Sequence, residues 1–516
     1  MLHQRQIRII HRGLVAASLV LAGAAPALGQ QATTAQTPAQ PGGTVLQLSM
    51  QQAEAMALET NLGLKASRLD LDTAAQNILG ARSAFLPLFQ SNLSRNTAQQ
   101  APQVNSDGTS SVASSNTLNV QSTFSQRLPW YGSQFQVSWS GNRLATLGSN
   151  STFNPRLGST LGINFTQPLL RNLKIDANRN AIETTERLRE ITDLTVRQQI
   201  VSTQAAVDLA YLGLKGAISS RAVAQQNLDL AKESERDSRA RVAVGVSAQI
   251  DIIQTQVLVA QSEEALIVAD AQIATAEDSL RQLILDPSRP DYWQVHLELT
   301  DEIQPNARAI DVDAAIKNAL ANRLDLQSAR RNSAVTDLNL KLNENLNRPA
   351  VDFVMNYSSS GTGGTQVTNG AQSIKSFGSV LGDTLGAAYP SWTLGVNVTY
   401  PLGTTSAEVA LATTRIQKQK EELGLRDLEL QIVTAVRQAA RQVETDYKRV
   451  QATLTAQQAT QQQLEAEQRK FAVGLSDTFK VQQFELQAAQ ARTSAVGALI
   501  AYNRDLILFD RVQKIR

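Results

Sequence analysis

Residues 242–251, VAVGVSAQID, return 229 positions later as residues 471–480, FAVGLSDTFK. Each copy sets a Val-Gly-hydrophobic-Ser break into a long Ala/Gln-rich tract that otherwise reads as helix. A chain reversing between antiparallel helices wants a residue that tolerates φ > 0, and glycine does so without steric cost. Two such breaks raise the question of whether everything around them is duplicated as well.

It is. Residues 57–68 (ALETNLGLKASR) align with 319–330 (ALANRLDLQSAR), and at that same offset Pro87 falls on Pro349. Residues 160–169 (TLGINFTQPL) align with 393–402 (TLGVNVTYPL). Three paired segments in one order indicate a repeated unit, whose first copy is 29 residues longer between its prolines. Each half then reads helix, strands, long helix, break, helix. The first repeat is expected over 48–285, with helices over 48–86 and 172–285 and strands within 88–167. The second is expected over 310–516, with helices over 310–348 and 404–512 and strands within 351–400.

No proline interrupts residues 169–285, and none follows Pro401, as uninterrupted helices require. Val433, Val436, Ala440, Val443, Tyr447, Val450 and Leu454 step by threes and fours, a heptad seam; Val196, Ile200, Thr203, Val207, Ala210 and Leu214 do the same. A helix running to Gly245 would reach on the order of 90 Å. These are coiled-coil arms.

Between them, residues 88–95, 161–167, 351–358 and 394–400 alternate apolar and polar positions and abut prolines, a strand signature. The 29 extra residues fit a hairpin of 119–127 and 134–142 joined by LPWYGS, which adds to the same sheet or folds over its mouth. Such alternation suits an outer-membrane barrel and a soluble sandwich equally. Trp130, Tyr131, Tyr389 and Trp392 flank the strands, as interfacial girdle or as turn residues.

The N-terminus reads as a secretory signal over 1–29: Arg5, Arg8 and Arg12, a short apolar run, then Ala27-Leu-Gly29 before a cut at Gln30. A flexible segment, 30–47, follows. The 286–309 stretch reads as the linker between repeats, with His296 structural. A formal charge of +2 gives no nucleic-acid footprint, and no cysteine means no disulfide, thiolate site or lipid-modified cysteine. With three histidines, two in the signal, and no phosphate loop or nucleophile–base spacing, neither an enzyme, a metal site nor a cofactor is expected.

The motifs TQPLLRN (166–172), NRLDLQSA (322–329) and the paired VGVS (244–247) and VGLS (473–476) resemble the TolC-like outer-membrane efflux protein family. The likeness implies a mostly helical fold with a membrane β-barrel part. In it a homotrimer completes a transmembrane β-barrel embedded in outer-membrane lipid, and long antiparallel coiled coils form a periplasmic α-barrel. The function implied is a passive exit path for drugs or other small molecules. These are exported by an inner-membrane pump through a periplasmic adaptor (membrane fusion protein), in the outer membrane of a Gram-negative bacterium. A type I protein-secretion duct shares the architecture, and a soluble periplasmic coiled-coil scaffold is the rival from another class.

By the same likeness, Val244, Gly245, Val246 and Ser247, with Val473, Gly474, Leu475 and Ser476, are hairpin tips that dock the adaptor. The periplasmic gate falls at Asp251, Lys480 and Gln483. Family members carry carboxylates where Lys480 and Gln483 stand, so a strongly cation-binding ring is not expected. An Asp251–Lys480 pair between neighbouring hairpins would hold the tip closed; ordinary solvated charges are the alternative.

Overall fold

The computed structural model describes residues 45–513, except 100, 102, 105–109, 112–113, 148–151, 303–306 and 369–370. The expected signal segment 1–29 lies outside the described residues, as do most of 30–47 and part of the linker.

Strand β1 (Val45–Leu48) precedes helices α1 (Met50–Thr60) and α2 (Leu62–Arg82), and a 3-10 turn, Ser83–Phe85, ends that arm. The single helix expected over 48–86 is therefore divided. Asn61 leaves the helical region at ψ 121, and its side chain accepts from Leu64 N to cap the next helix. Strand β2 (Leu88–Gln99), the two-residue strands β3 (Gln103–Val104) and β4 (Ser110–Ser111), then β5 (Ser114–Arg127), β6 (Gln134–Leu147) and β7 (Arg156–Pro168) follow. Helices α3 (Ala177–Ala243) and α4 (Gln249–Ile284) close the first half.

After β8 (His296–Leu299) the plan repeats as α5 (Val312–Asn322), α6 (Leu324–Leu346), β9 (Ala350–Thr368), β10 (Ala371–Lys375), a short helix α7 (Phe377–Leu385), β11 (Pro390–Thr399), α8 (Ser406–Ala472) and α9 (Thr478–Gln513). Three helix pairs match in length to the residue. Helices α1 and α5 have 11 residues each, α3 and α8 have 67, and α4 and α9 have 36. Sixty-seven residues make an arm about 100 Å long. Asp176 caps α3 by accepting from Asn178 N and Arg179 N, and Thr405 caps α8 by accepting from Glu408 N.

The predicted seams are buried in part. Val196, Thr203, Val207 and Leu214 are buried in α3, as are Val436, Ala440, Val443 and Val450 in α8; Val433 and Tyr447 are half-buried and Leu454 is exposed. One core gathers Val207, Tyr211, Leu214, Leu280 and Ile284 with Leu48, Ala53 and Ala57. Its counterpart gathers Ile432, Val436, Ala440 and Val443 with Ala315, Ala319, Leu326 and Tyr502. Part of the linker is structured: β8 pairs in parallel with β1, Val45 opposite His296, and Tyr211 Oη donates to Leu48 O at 3.1 Å to tie this ribbon to α3.

Among the described residues, β2, β5, β6, β7, β9 and β11 lie side by side in that order, each antiparallel to the next. Strand β10 pairs only with the outer end of β9, beyond the reach of β11. The 119–142 hairpin is thus part of the sheet rather than a cover. Its LPWYGS turn sits at the end where the long helices begin. There Tyr131 and Gly132 take φ of 55° and 68°, and a Cβ on Gly132 would stand 2.5 Å from Asn172 O.

The register runs without a bulge, so alternate residues share a face across all six strands. Phe89, Leu93, Val120, Phe124, Phe135, Val137, Trp139, Ile163, Phe165, Phe353, Met355, Tyr357, Leu394, Val396 and Val398 form an apolar face. Gln90, Asn92, Gln121, Thr123, Gln136, Ser138, Asn164, Asn356, Thr393 and Asn397 form the opposite, polar one. Helix α7 crosses the apolar face at the sheet's outer end, where Val380 seats against Gly361 and Gly363 and Thr384 Oγ1 donates to Ser159 O at 3.2 Å. Small residues there make the seat.

Candidate functional site

The candidate site has two parts, the hairpin tips and the sheet, joined by the helical layer. At the first tip α3 stops at Val244, and Gly245 turns the chain at φ +78°. Gly245 N donates to Val242 O and Val246 N to Arg241 O, both at 3.0 Å, which satisfies two carbonyls of the last helical turn. The second tip repeats the geometry: Gly474 at φ +78°, Gly474 N to Phe471 O at 3.1 Å, Leu475 N to Lys470 O at 2.9 Å. Nothing lies within 4 Å of where a Cβ would stand on either glycine, so conformation and not crowding selects the residue.

The tips place four apolar side chains in the open: Val244, Val246, Val473 and Leu475 are each more than 70% exposed. Ser247 and Ser476 follow. Ser476 Oγ donates to Glu467 Oε1 at 2.5 Å, and Lys470 Nζ reaches Glu467 Oε2 at 2.9 Å. The Ser476 hydroxyl first, and then Lys470, hold the Glu467 carboxyl below its usual range. Below the second tip, Asp477 Oδ1 accepts from Lys480 N at 2.9 Å, and Lys480 Nζ stands 3.3 Å from Asp477 Oδ2.

Among the described residues no ion pair or hydrogen bond joins the expected gate residues to one another. Lys480 is engaged by Asp477, Asp251 lies half-buried in the first turn of α4, and Gln483 is exposed on α9. Among the described residues Asp251 and Lys480 form no ion pair, and the Lys480 ammonium is taken up by Asp477.

Two features here were not read from the sequence. The Arg241 guanidinium lies 3.9 Å from the centroid of the Phe471 ring, so a cation–π contact links the two tips. The available signal was position: Arg241 and Lys470 are equivalent residues in the two repeats, each in the last turn of its arm, where a cation suits the helix dipole. Further up, Glu485 on α9 is half-buried against the α3–α4 hairpin in a cleft of about 510 Å³ lined by Leu230, Leu258, Ala265 and Ala269. Burial pushes its carboxyl up to about 7; Gln468 opposes the shift and Glu233 adds to it.

Above the tips the upper arms lie in one layer in the order α2, α3, α6, α8, and the sheet continues it from β2 to β11. Among the described residues, neither outer edge has a partner strand or helix. Along α8, Val409, Ile416, Leu423 and Leu430 recur every seven residues and are all exposed; on α2, Leu62, Leu69 and Leu79 are exposed. Trp392 and Tyr389 mark the outer end of the sheet, Trp130, Tyr131 and Tyr400 the end nearest the helices, and all five are exposed. Among the described residues, no helix is long and apolar enough to cross a membrane, and no His/Cys/Asp/Glu group has the form of a metal site.

A family model described as outer membrane efflux protein matches residues 130–284 and 315–507. Solved structures resemble the chain over 90% of its length. They include the outer membrane protein VceC of Vibrio cholerae (14% identity, TM-score 0.61, 96% of that chain covered) and the outer membrane channel CmeC of Campylobacter jejuni (13%, 0.61, 85%). The open state of the outer membrane channel MtrE of Neisseria gonorrhoeae is a third (16%, 0.58, 88%). A search of the curated proteins finds no match.

Proposed function

The chain belongs to the outer membrane efflux protein family, and from that premise we propose that it is a channel-tunnel of a Gram-negative outer membrane. Three copies close into a duct through which small molecules, drugs among them, leave passively once an inner-membrane pump has delivered them through a periplasmic adaptor. The observation that carries this reading is the open layer with its two-faced sheet. A sheet apolar on one side and polar on the other, ten to twelve residues tall at its edges, suits a wall between lipid and water. Ten residues tilted as barrel strands stand roughly 27 Å high, close to the apolar core of a bilayer.

The adaptor docks on Val244, Gly245, Val246 and Ser247 and on Val473, Gly474, Leu475 and Ser476, whose exposed apolar side chains at the helix ends mark a contact surface. The gate lies at Asp251, Lys480 and Gln483. The chain itself supplies no chemistry to drive transport; energy enters from the pump.

Fractionation followed by mild detergent extraction tests the assembly. The expected product is an outer-membrane complex of roughly three chain masses, about 160 kDa for chains trimmed from 55.9 kDa. A soluble monomer or dimer in the periplasmic fraction would sink the barrel and leave a coiled-coil scaffold.

A further inference from the structure

We infer that the barrel wall has eighteen strands, six from each copy, and that it closes by pairing β11 of one copy with β2 of the next in a flush register that sets Thr399 opposite Leu88. The inference rests on the trimer proposed above. It differs from a duct walled by four strands per copy, which would need the β5–β6 hairpin to lie off the wall.

The first observation is where the hairpin sits. Strand β5 pairs with β2 over twelve residues, β6 pairs with β5 over fourteen, and β7 pairs with β6 over eleven. Among the described residues β2 has no pairing with β7, so removing the hairpin from the wall breaks two full ladders. The hairpin also obeys the shared alternation: Val120, Phe124, Phe135 and Val137 continue the apolar face, and Gln121, Thr123, Gln136 and Ser138 the polar one.

The second is the state of the two edges. Strand β2 is exposed along its whole length and β11 nearly so, each edge presenting unpaired N–H and C=O groups together with large apolar side chains. The six strands alternate in direction, so β11 meets the next β2 antiparallel, as a closed wall of this type requires. Below the sheet the same edges continue as α2 and α8 with their exposed leucine, isoleucine and valine stripes, so one seam runs the length of the layer.

The register follows from faces and stops. Pro87 stands just before β2 and Pro401 two residues after β11, and flush pairing brings these stops to one level. It then sets Val398 opposite Phe89, Val396 opposite Ser91, Leu394 opposite Leu93 and Trp392 opposite Arg95 on the apolar face. Gly395 faces Asn92 on the polar face. A slip by one residue would turn every side chain of one edge to the wrong side.

The geometry closes as well. Stepping straight across the sheet from Leu88 leads through Ser125, Gln136, Asn164 and Asn356 to Thr393. Flush pairing puts Thr393 opposite Ser94 of the next copy, a stagger of six residues per copy, which gives a strand tilt of about 35°. At that tilt eighteen strands enclose a backbone diameter of about 33 Å, against about 22 Å for twelve.

The chain has no cysteine, so engineered pairs in the full-length protein in its own membrane report directly. Asn92→Cys with Gly395→Cys tests the seam, and the expected result is a reducible covalent trimer absent from either single variant. Ser91→Cys with Ser122→Cys tests the hairpin. These hydroxyl oxygens are 3.0 Å apart, so the thiols should be lost to an internal disulfide with no change in mass. A seam crosslink without the 91–122 disulfide places the hairpin off the wall and overturns the inference while the trimer stands. A crosslink from Asn92→Cys with Asn397→Cys in place of 92–395 overturns the register. No intermolecular crosslink in any pair, with no trimer on extraction, removes the proposed function along with it.

Discussion

Gly245 and Gly474 each hold φ +78° with open space on the side where a Cβ would project. Alanine at either site meets no clash but must occupy the left-handed region, which costs about 1 kcal/mol. The amides of Val246 and Leu475, whose bonds depend on that turn, should then exchange with solvent roughly fivefold faster, as hydrogen-exchange measurements would read. Gly424 is the contrasting case: it lies inside α8 with equally open space and no positive φ. Gly424→Ala should stabilise its helix by up to about 1 kcal/mol, and the same substitution thus has opposite signs at two kinds of position. The break glycines were legible because a φ requirement is local and leaves a residue type behind. The Arg241–Phe471 contact was not, since it joins halves of the chain that only the tertiary fold brings together.

Among the elements, α9 carries the plainest response to pH. Glu485 is half-buried between α9 and the α3–α4 hairpin, and the loss of water around its carboxyl raises it from 4.5 to about 7. The folded state therefore binds a proton that the unfolded chain releases near its ordinary value. The stabilisation is complete below pH 4.5 and is lost as pH rises through about 7, by on the order of 3 kcal/mol at most. Thermal unfolding of the detergent-extracted protein and of Glu485→Gln, compared at pH 5 and pH 8, should give a smaller difference for the variant; an equal difference would reject the assignment.

At this scale the helices and strands were readable from period and proline. Alternation at 161–167 and 394–400 gave β7 and β11, and the proline-free runs gave the arms. The break of the first arm at Asn61 escaped notice because asparagine is tolerated within helices as well as at caps. The pairing of β1 with β8 escaped because it joins residues some 250 positions apart, and neither four-residue strand is distinctive alone.

The described residues form a layer with free edges, and the stability of a single chain is separate from its assembly. Ile416 and Leu423 are more than half exposed on α8, so aspartate at both should change the fold of one chain little, by about 0.5 kcal/mol per site. In a closed ring those carboxylates would be buried against the next copy without partners, at several kcal/mol. Extraction of Ile416→Asp/Leu423→Asp should therefore yield single chains with unchanged helix content by circular dichroism. A trimer of normal mass would place the seam elsewhere. The duplication was plain in the sequence because each half must span the same height. Where the layer ends, and which helices stand at its edges, was not: the exposed Val409, Ile416, Leu423 and Leu430 of α8 recur by sevens much as the buried seam lower in the same helix does, and only packing separates an inner seam from an outer one.

The polar face of the sheet has a consequence for what the duct lets through. Arg127 and Asp352 lie on it near the helical end and Arg156 near the outer end; between them the six strands present amides, hydroxyls and small or aliphatic side chains. A wide bore without fixed charge along its middle has no means of preferring anions to cations there. In the trimer proposed above, the middle of the wall would sort solutes by girth rather than by charge, and discrimination by charge would fall to the rims at Arg127, Asp352 and Arg156 and to the hairpin tips some 100 Å away.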